Sequence, residues 1–356
     1  MSKKMTSRER IGRAISHREP DFVPVFDTPW PATRERWIRE GMPEDADYRA
    51  FFGLDMLSHI WPDTSPRYPV ATVEENDEYR IFTTDWGVTM KKWKHTESTP
   101  QYIDFTVIDP DSWRDARARM TPVRDRINWK QLAVDYPRWR AEGHWIEAHF
   151  WFGFDVTHSW FVGTERLLMA LVENPEWCRE MFETELDMSI ALFDMLWDAG
   201  YTVDGIFWPD DMGYKLNQFF SVATYRELIK PVHRRAVEWA HGKGIPARLH
   251  SCGDIRPFVP EFVDIGVDCL HPMEVKAGVD PLALKREFGD HLALNGGLNA
   301  LLYDDPVNFG AEMRRVVPGM KQGGGYLLSS DHSIPSSVSL ESFRTIVKLA
   351  RELGAY

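Results

Sequence analysis

From His144 onward the sequence alternates short apolar runs with longer amphipathic stretches, and this rhythm constrains the fold more than any other feature. Runs at 145–152, 205–208, 247–252, 267–271, 291–295 and 325–329 have strand length. Helical spacing appears over 165–196, 223–241, 256–265, 281–288, 308–317 and 340–353. Asn174-Pro175 predicts a break in the first of these, and Pro231 a kink in the second. Proline lacks the N–H and its ring crowds the preceding turn. Upstream, Thr6-Ser7-Arg8-Glu9 is a capping signal, followed by the apolar stripe Ile11, Ala14 and Ile15. A strand over 22–26, a helix over 33–40 and a strand over 54–61 follow. The stretch 79–93, with Asp85-Trp86-Gly87 at its middle, reads as a β-hairpin inserted outside the main sheet. Residues 94–143 are polar and punctuated by proline, which predicts loops and one or two helices. Strands beginning at Phe22, Leu54, Trp145, Gly205, Ala247, Val267, His291 and Gly325 make eight. The expected fold is α/β: a single-domain (β/α)8 TIM barrel over 1–356 with an N-terminal hairpin and loop insertion.

Composition excludes several functions. Net charge is −12, which disfavours a nucleic-acid surface. The basic residues Lys3, Lys4, Arg8, Arg10, Arg13 and Arg18 read as one solvated helix face. Cys178, Cys252 and Cys269 are too scattered for a disulfide framework, so a reducing, cytoplasmic setting is expected. No apolar run reaches the roughly 18 residues a membrane span needs. Fifteen tryptophans are many for 356 residues. Trp30, Trp61, Trp86, Trp151 and Trp208 lie near strand ends, as rings lining a pocket would.

In such a barrel the chemistry sits at the C-terminal strand ends. Those ends hold Asp27, His59, Glu147 or His149, Asp210 with Asp211, His250 with Cys252, His271 with Glu274, Asn295, and Asp331 with His332. His250 and Cys252 are two apart, so in a strand they share a face. Imidazole and thiolate together favour zinc. Asp210 and Asp211 point to opposite sides, one to the pocket and the other to a loop. Asp27 and Asp331 suit helix capping as well as catalysis. His59 and His271 read as structural or supporting residues. Trp30, Trp208, Tyr214 and Asn295 are the expected substrate contacts, with Asp27, Asp210 and Asp211 as the catalytic carboxylates.

The chain also resembles the uroporphyrinogen decarboxylase superfamily, in its corrinoid-dependent methyltransferase-like branch. The resemblance rests on residues 6–11 with 20–24, on Pro209-Asp210-Asp211-Met212-Gly213 with 225–231, and on Leu249-His250-Ser251-Cys252-Gly253-Asp254-Ile255. It continues through 266–272, Asn295-Gly296-Gly297, 323–335 and the terminal Gly354-Ala355-Tyr356. It implies a (β/α)8 barrel, zinc held by a His-x-Cys pair and a later cysteine, and a corrinoid carried on a partner protein. The pair maps onto His250 and Cys252. The later cysteine falls at His332, so the expected third ligand is His332. Asp210 or Asp211 would add a ligand, replace His332, or orient His250. The reaction implied is methyl transfer between a thiol or small substrate, such as a methoxylated aromatic, and the corrinoid. Homodimers are common among such relatives. The decarboxylases of the superfamily use an arginine-rich N-terminal motif for a polycarboxylate, and residues 26–32 contain no arginine. The alternatives are a metal-independent decarboxylase and a non-catalytic corrinoid- or partner-binding barrel.

Overall fold

The structure, a computed structural model, describes residues 5–95 and 99–356; Lys3 and Lys4 lie outside them. Among the described residues, seven parallel strands form one curled sheet. They are β1 (Leu57–Ile60), β2 (Trp145–His149), β3 (Gly205–Pro209), β4 (Ala247–His250), β5 (Cys269–His271), β6 (Ala293–Asn295) and β7 (Tyr326–Leu327). They lie side by side in chain order, as successive crossovers through helices dictate. The register sets Leu249 beside Trp208 and Leu270, and His250 beside Pro209 and His271.

The expected first strand, 22–26, is not a regular strand. Val25 makes one parallel bridge to Leu328, and Phe22 one antiparallel bridge to Ala355. Pro24, at its centre, carries no N–H, which interrupts a ladder there, and Pro20 and Pro29 flank the segment. The segment still spans both sheet edges. Phe26 N–H donates to the Leu328 carbonyl (3.2 Å), and Asp55 N–H donates to the Val25 carbonyl (2.8 Å).

The Ser7–Ile15 helix begins with the predicted capping box, Thr6 and Glu9 each bonding the other's backbone N–H. Its stripe of Ile11, Ala14 and Ile15 packs on Trp145, Cys269, Ala293 and Leu327, closing the N-terminal end of the sheet. Arg10, on the same helix, is buried. It meets Asp55 at 2.5 Å and Asp21 at 2.7 Å, while the second Asp55 oxygen accepts Val25 N–H at 2.9 Å. One guanidinium thus anchors the 21–25 segment to the start of β1.

Proline breaks fall as expected. The long helical stretch divides into Thr164–Glu173 and Pro175–Asp198. Before Pro231 the ladder widens into a π-helical turn, Tyr225–Ile229, and resumes at Lys230–Gly242. The hairpin pairs Tyr79–Thr83 with Val88–Trp93, flanked by strands Thr72–Glu75 and Gln101–Phe105. Met90 and Val88 are buried, and Trp86 packs on Trp151 and Phe161 with ring centres 5.2 and 4.9 Å away. The 94–143 stretch contains that last strand and two α-helices, Pro110–Arg119 and Trp129–Glu142. No described helix is long and apolar enough to cross a membrane.

Replacing Arg10 with Ala leaves Asp55 buried without its cation, and should cost about 3–5 kcal/mol in urea unfolding. Arg8→Ala, which removes an exposed partner of Asp204, should cost under about 1 kcal/mol.

Candidate active site

The site begins where β4 ends. Gly253 has φ +82°, and a Cβ there would lie 2.2 Å from the Gly213 carbonyl carbon. Only glycine allows the loop after β3 and the loop after β4 to touch in this way. Asp254 N–H donates to the Tyr214 carbonyl (3.0 Å), and Met212 N–H to Ser251 Oγ (3.1 Å). The contact brings Asp211 over Cys252, whose N–H donates to Asp211 Oδ1 at 2.7 Å.

Three donor atoms then converge. His250 Nε2 is 3.3 Å from Cys252 Sγ and 3.4 Å from Asp211 Oδ1. All three ligand atoms lie within 4.8 Å of one another. Ligands on one tetrahedral zinc, with bonds of about 2.0–2.3 Å, stand roughly 3.3–3.8 Å apart. The separations of His250 from Cys252 and from Asp211 fall in that range, and the chemistry of the donor set suits such an ion. His250 Nδ1 lies 2.6 Å from His271 Nδ1. Burial, then the adjacent His250, hold the His271 pKa well below its ordinary value, so His271 is neutral. With a cation at the trio, His250 would ligate through Nε2 and donate its Nδ1–H to His271. Burial pushes the Cys252 thiol well up, and Asp211 and Glu274 add to this. A cation at the trio would reverse that effect. Burial also acts to raise Asp211, but His250 and the Cys252 N–H outweigh it and leave Asp211 below its ordinary value.

The trio opens into a cavity of about 470 Å³. Phe26 and Phe207 form part of its wall. Arg248 forms its floor, over the Phe207 ring at 4.1 Å. Glu147 accepts two bonds from Arg248, at 2.9 and 2.5 Å, and Asn295 Oδ1 accepts a third at 3.3 Å. His59 is 3.7 Å from Glu147, beyond hydrogen-bond length, and burial lowers its pKa to about 4. Asp27 stands on the wall near β7. It accepts from the Tyr303 hydroxyl, Ser330 N–H (3.0 Å), Ser330 Oγ (3.2 Å) and Thr28 N–H (2.9 Å). Burial outweighs these donors and lifts the Asp27 pKa to about 6.

The structure separates the expected site residues. Asp211, His250 and Cys252 come together, with Asp27 on the same cavity. His332 lines the cavity but stands outside the trio, its ring 5.9 Å from Trp30. The preceding Asp331 pins this loop by accepting Val275 N–H (2.9 Å) and Ala300 N–H (2.8 Å). His332 therefore stays apart from the His250–Cys252 pair, and Asp211 is the third donor group beside it. Strand alternation explains two further corrections. Phe207 faces the cavity, so Trp208 faces the helices, fully buried on Phe152 and His233. Asp210 also points away, bonded to His233 Nε2 (2.8 Å) and Asp155 N–H (2.7 Å). Asn295 is buried beneath Arg248 instead of facing the cavity. Tyr214 is 44% exposed on a two-residue strand, against Phe219, and does not line the cavity. Trp30 reaches the rim only through His332. The sequence reading missed Phe207, which alternation beside Trp208 could have found. His271 has the supporting place expected of it, but its partner, His250, depends on strand register and is not legible in the spacing.

Comparisons with known proteins complete this picture. The family model described as uroporphyrinogen decarboxylase (URO-D) matches residues 158–353. A uroporphyrinogen decarboxylase from Shewanella loihica is 24% identical over 149 residues, a match covering 42% of this chain and 40% of that protein. A methyltransferase from Methanosarcina mazei superposes with a TM-score of 0.67 over 98% of this chain and 99% of that one. Their identity is 16%, so the likeness is one of fold.

Two measurements address the site. In zinc titrations with a competing chelator, Cys252→Ser and Asp211→Asn should lose tight binding, and His271→Phe should weaken it about 10–100-fold. His332→Ala should bind like the parent. The second concerns Asp27. The folded carboxyl keeps its proton up to about pH 6, whereas its ordinary value is 3.8. Its contribution to stability is thus full below pH 3.8 and lost as pH rises through about 6. Unfolding free energies should fall across that window, and Asp27→Asn should remove a part of the fall on the order of 1 kcal/mol.

Proposed function

This chain belongs to the uroporphyrinogen decarboxylase (URO-D) family, and from that premise we propose that it is a zinc-dependent methyltransferase. The observation that carries the reading is the Asp211, His250 and Cys252 trio opening into the cavity. The fold shared with a methyltransferase supports it. The 22–26 segment, bonded to both sheet edges, is read as the eighth stave of a closed barrel. Asp211, His250 and Cys252 would hold the zinc, with the cavity on its open side. When bound, zinc supplies a Lewis acid that stabilises a thiolate or draws electrons from an ether oxygen. The methyl partner is a corrinoid carried on a second protein, reached through the cavity mouth. The small substrate is a methylated compound, such as a methoxylated aromatic, flanked by Phe26 and Phe207.

The chain's own residues have defined tasks in this reading. His271 fixes the His250 ring through the Nδ1–Nδ1 bond. Arg248 closes the floor with its charge met by Glu147. Asp27 holds a proton at its carboxyl near pH 6 and can give it to an oxygen leaving with its methyl lost. The half-buried rings of Phe26 and Phe207 give the trio an apolar flank.

A metal-independent decarboxylase is the second reading, favoured by the same protonated Asp27. Charge weighs against it. Among the described residues Arg248 is the one lysine or arginine lining the cavity, and Glu147 already takes it. A substrate with many carboxylates would find no free arginine or lysine among these residues.

The test supplies zinc-loaded protein with a methoxybenzoate and added cob(I)alamin, following methyl transfer optically. Transfer should occur, and Cys252→Ser should slow it by more than about a hundredfold. Release of carbon dioxide from uroporphyrinogen by chelator-treated protein, with no methyl transfer, would put the decarboxylase in its place.

A further inference from the structure

A second cavity, of about 460 Å³, lies between the ends of β1 and β2 and the antiparallel sheet. Trp61, Trp86, Trp151 and Trp160 line it, together with Asp63 and Asp85. Trp61 follows β1, Trp151 follows β2, Trp86 sits in the hairpin turn, and Trp160 lies in a π-helical turn. Four separate parts of the chain thus each contribute one indole.

Their orientations define the space. Trp61, Trp86 and Trp160 stand around Trp151 at ring distances of 5.4, 5.2 and 5.2 Å. Their planes are turned from it by 82°, 64° and 69°. A flat aromatic ligand needs parallel faces. Walls that stand nearly perpendicular suit a compact, rounded group that touches several rings at once. Cations bind to indole faces better than to other aromatic rings.

The charges agree. Arg67 meets Asp63 at 2.6 Å, and Arg126 stands 3.6 Å from it. Asp85 has no ion-pair partner among the described residues. Although Asp85 is exposed, partial desolvation and then the neighbouring Asp63 raise its pKa, an effect that a bound cation would relieve. His149 stacks on Trp61 at 3.7 Å and 17°, fixing that ring. Burial keeps His149 neutral, so it does not fill the box with its own charge. Two lining residues also have buried polar atoms without a partner among the described residues, Trp151 Nε1 and Thr64 Oγ1. Trp151 Nε1–H needs an acceptor, which the ammonium itself cannot supply but an oxygen on the same small molecule, such as a hydroxyl, can.

We propose that the box of Trp61, Trp86, Trp151 and Trp160, with Asp85, binds the quaternary or methylated ammonium group of a small molecule. The site is separate from the Asp211, His250 and Cys252 trio. It needs neither metal nor methyl acceptor, so its test stands or falls apart from the methyl-transfer reading.

The test is titration of the full chain with choline, read by indole fluorescence and calorimetry. The comparison is 3,3-dimethylbutan-1-ol, which has the same shape without the charge. Choline should saturate and bind at least about tenfold tighter than the alcohol. Trp61→Leu and Asp85→Asn should each weaken choline binding about fivefold or more. Trp61 is 55% exposed and Asp85 lies at the surface, so both variants should keep the parent's melting transition. Should a variant unfold, the choline and alcohol comparison on the unaltered protein decides alone. Equal binding of the two compounds would reduce the box to an apolar crevice. No saturation by choline up to about 50 mM, or unchanged affinity in both folded variants, would also overturn the proposal.

Discussion

The candidate site depends on one contact, the touch of the backbones at Gly213 and Gly253. A single methyl group on either glycine would meet the opposite chain below 3.0 Å. Without that contact Asp211 would not reach the Cys252 N–H, and the His250–Cys252 pair would lack its third donor. The β3 and β4 register brings the two loops near each other, and the glycines let them close. The strands supply the positions and the loop contact supplies the ligand set.

Beneath the trio, the Glu147–Arg248 pair sets the electrostatic character of the cavity. Both residues are buried in the sheet interior, where an unpaired charge is expensive. Trp145 Nε1 and Asn295 complete the hydrogen bonding of the pair. His59 and His271 stay neutral beside it. The floor therefore presents little net charge, and the ionisable chemistry is left to the trio and to Asp27 on the opposite wall.

Much of the architecture was legible because its causes are local. The capping box at Thr6, the proline breaks near Asn174 and Pro231, and the hairpin around Asp85 each act over a few residues. The first strand was less legible, since Pro24 interrupts its ladder and only its neighbours give it bridges. The expected tryptophan pocket was partly right in composition but not in membership. Trp208 entered the core and Trp30 the rim, whereas Trp160, from an irregular helix, joined Trp61, Trp86 and Trp151.

What the sequence by itself determined is the alternation of strands and helices and the shared face of His250 and Cys252. Both follow from repeats of two or about 3.6 residues. It also determined that Asp210 and Asp211 diverge, though not which one faces the cavity. Tertiary structure alone decided that Asp211 completes the trio, that His271 holds His250, and that His332 stays apart. Those outcomes join residues from different strands, and depend on register and loop contact. Sequence spacing carries no record of either, because adjacent strand ends are neighbours in space while their residues lie tens of positions apart.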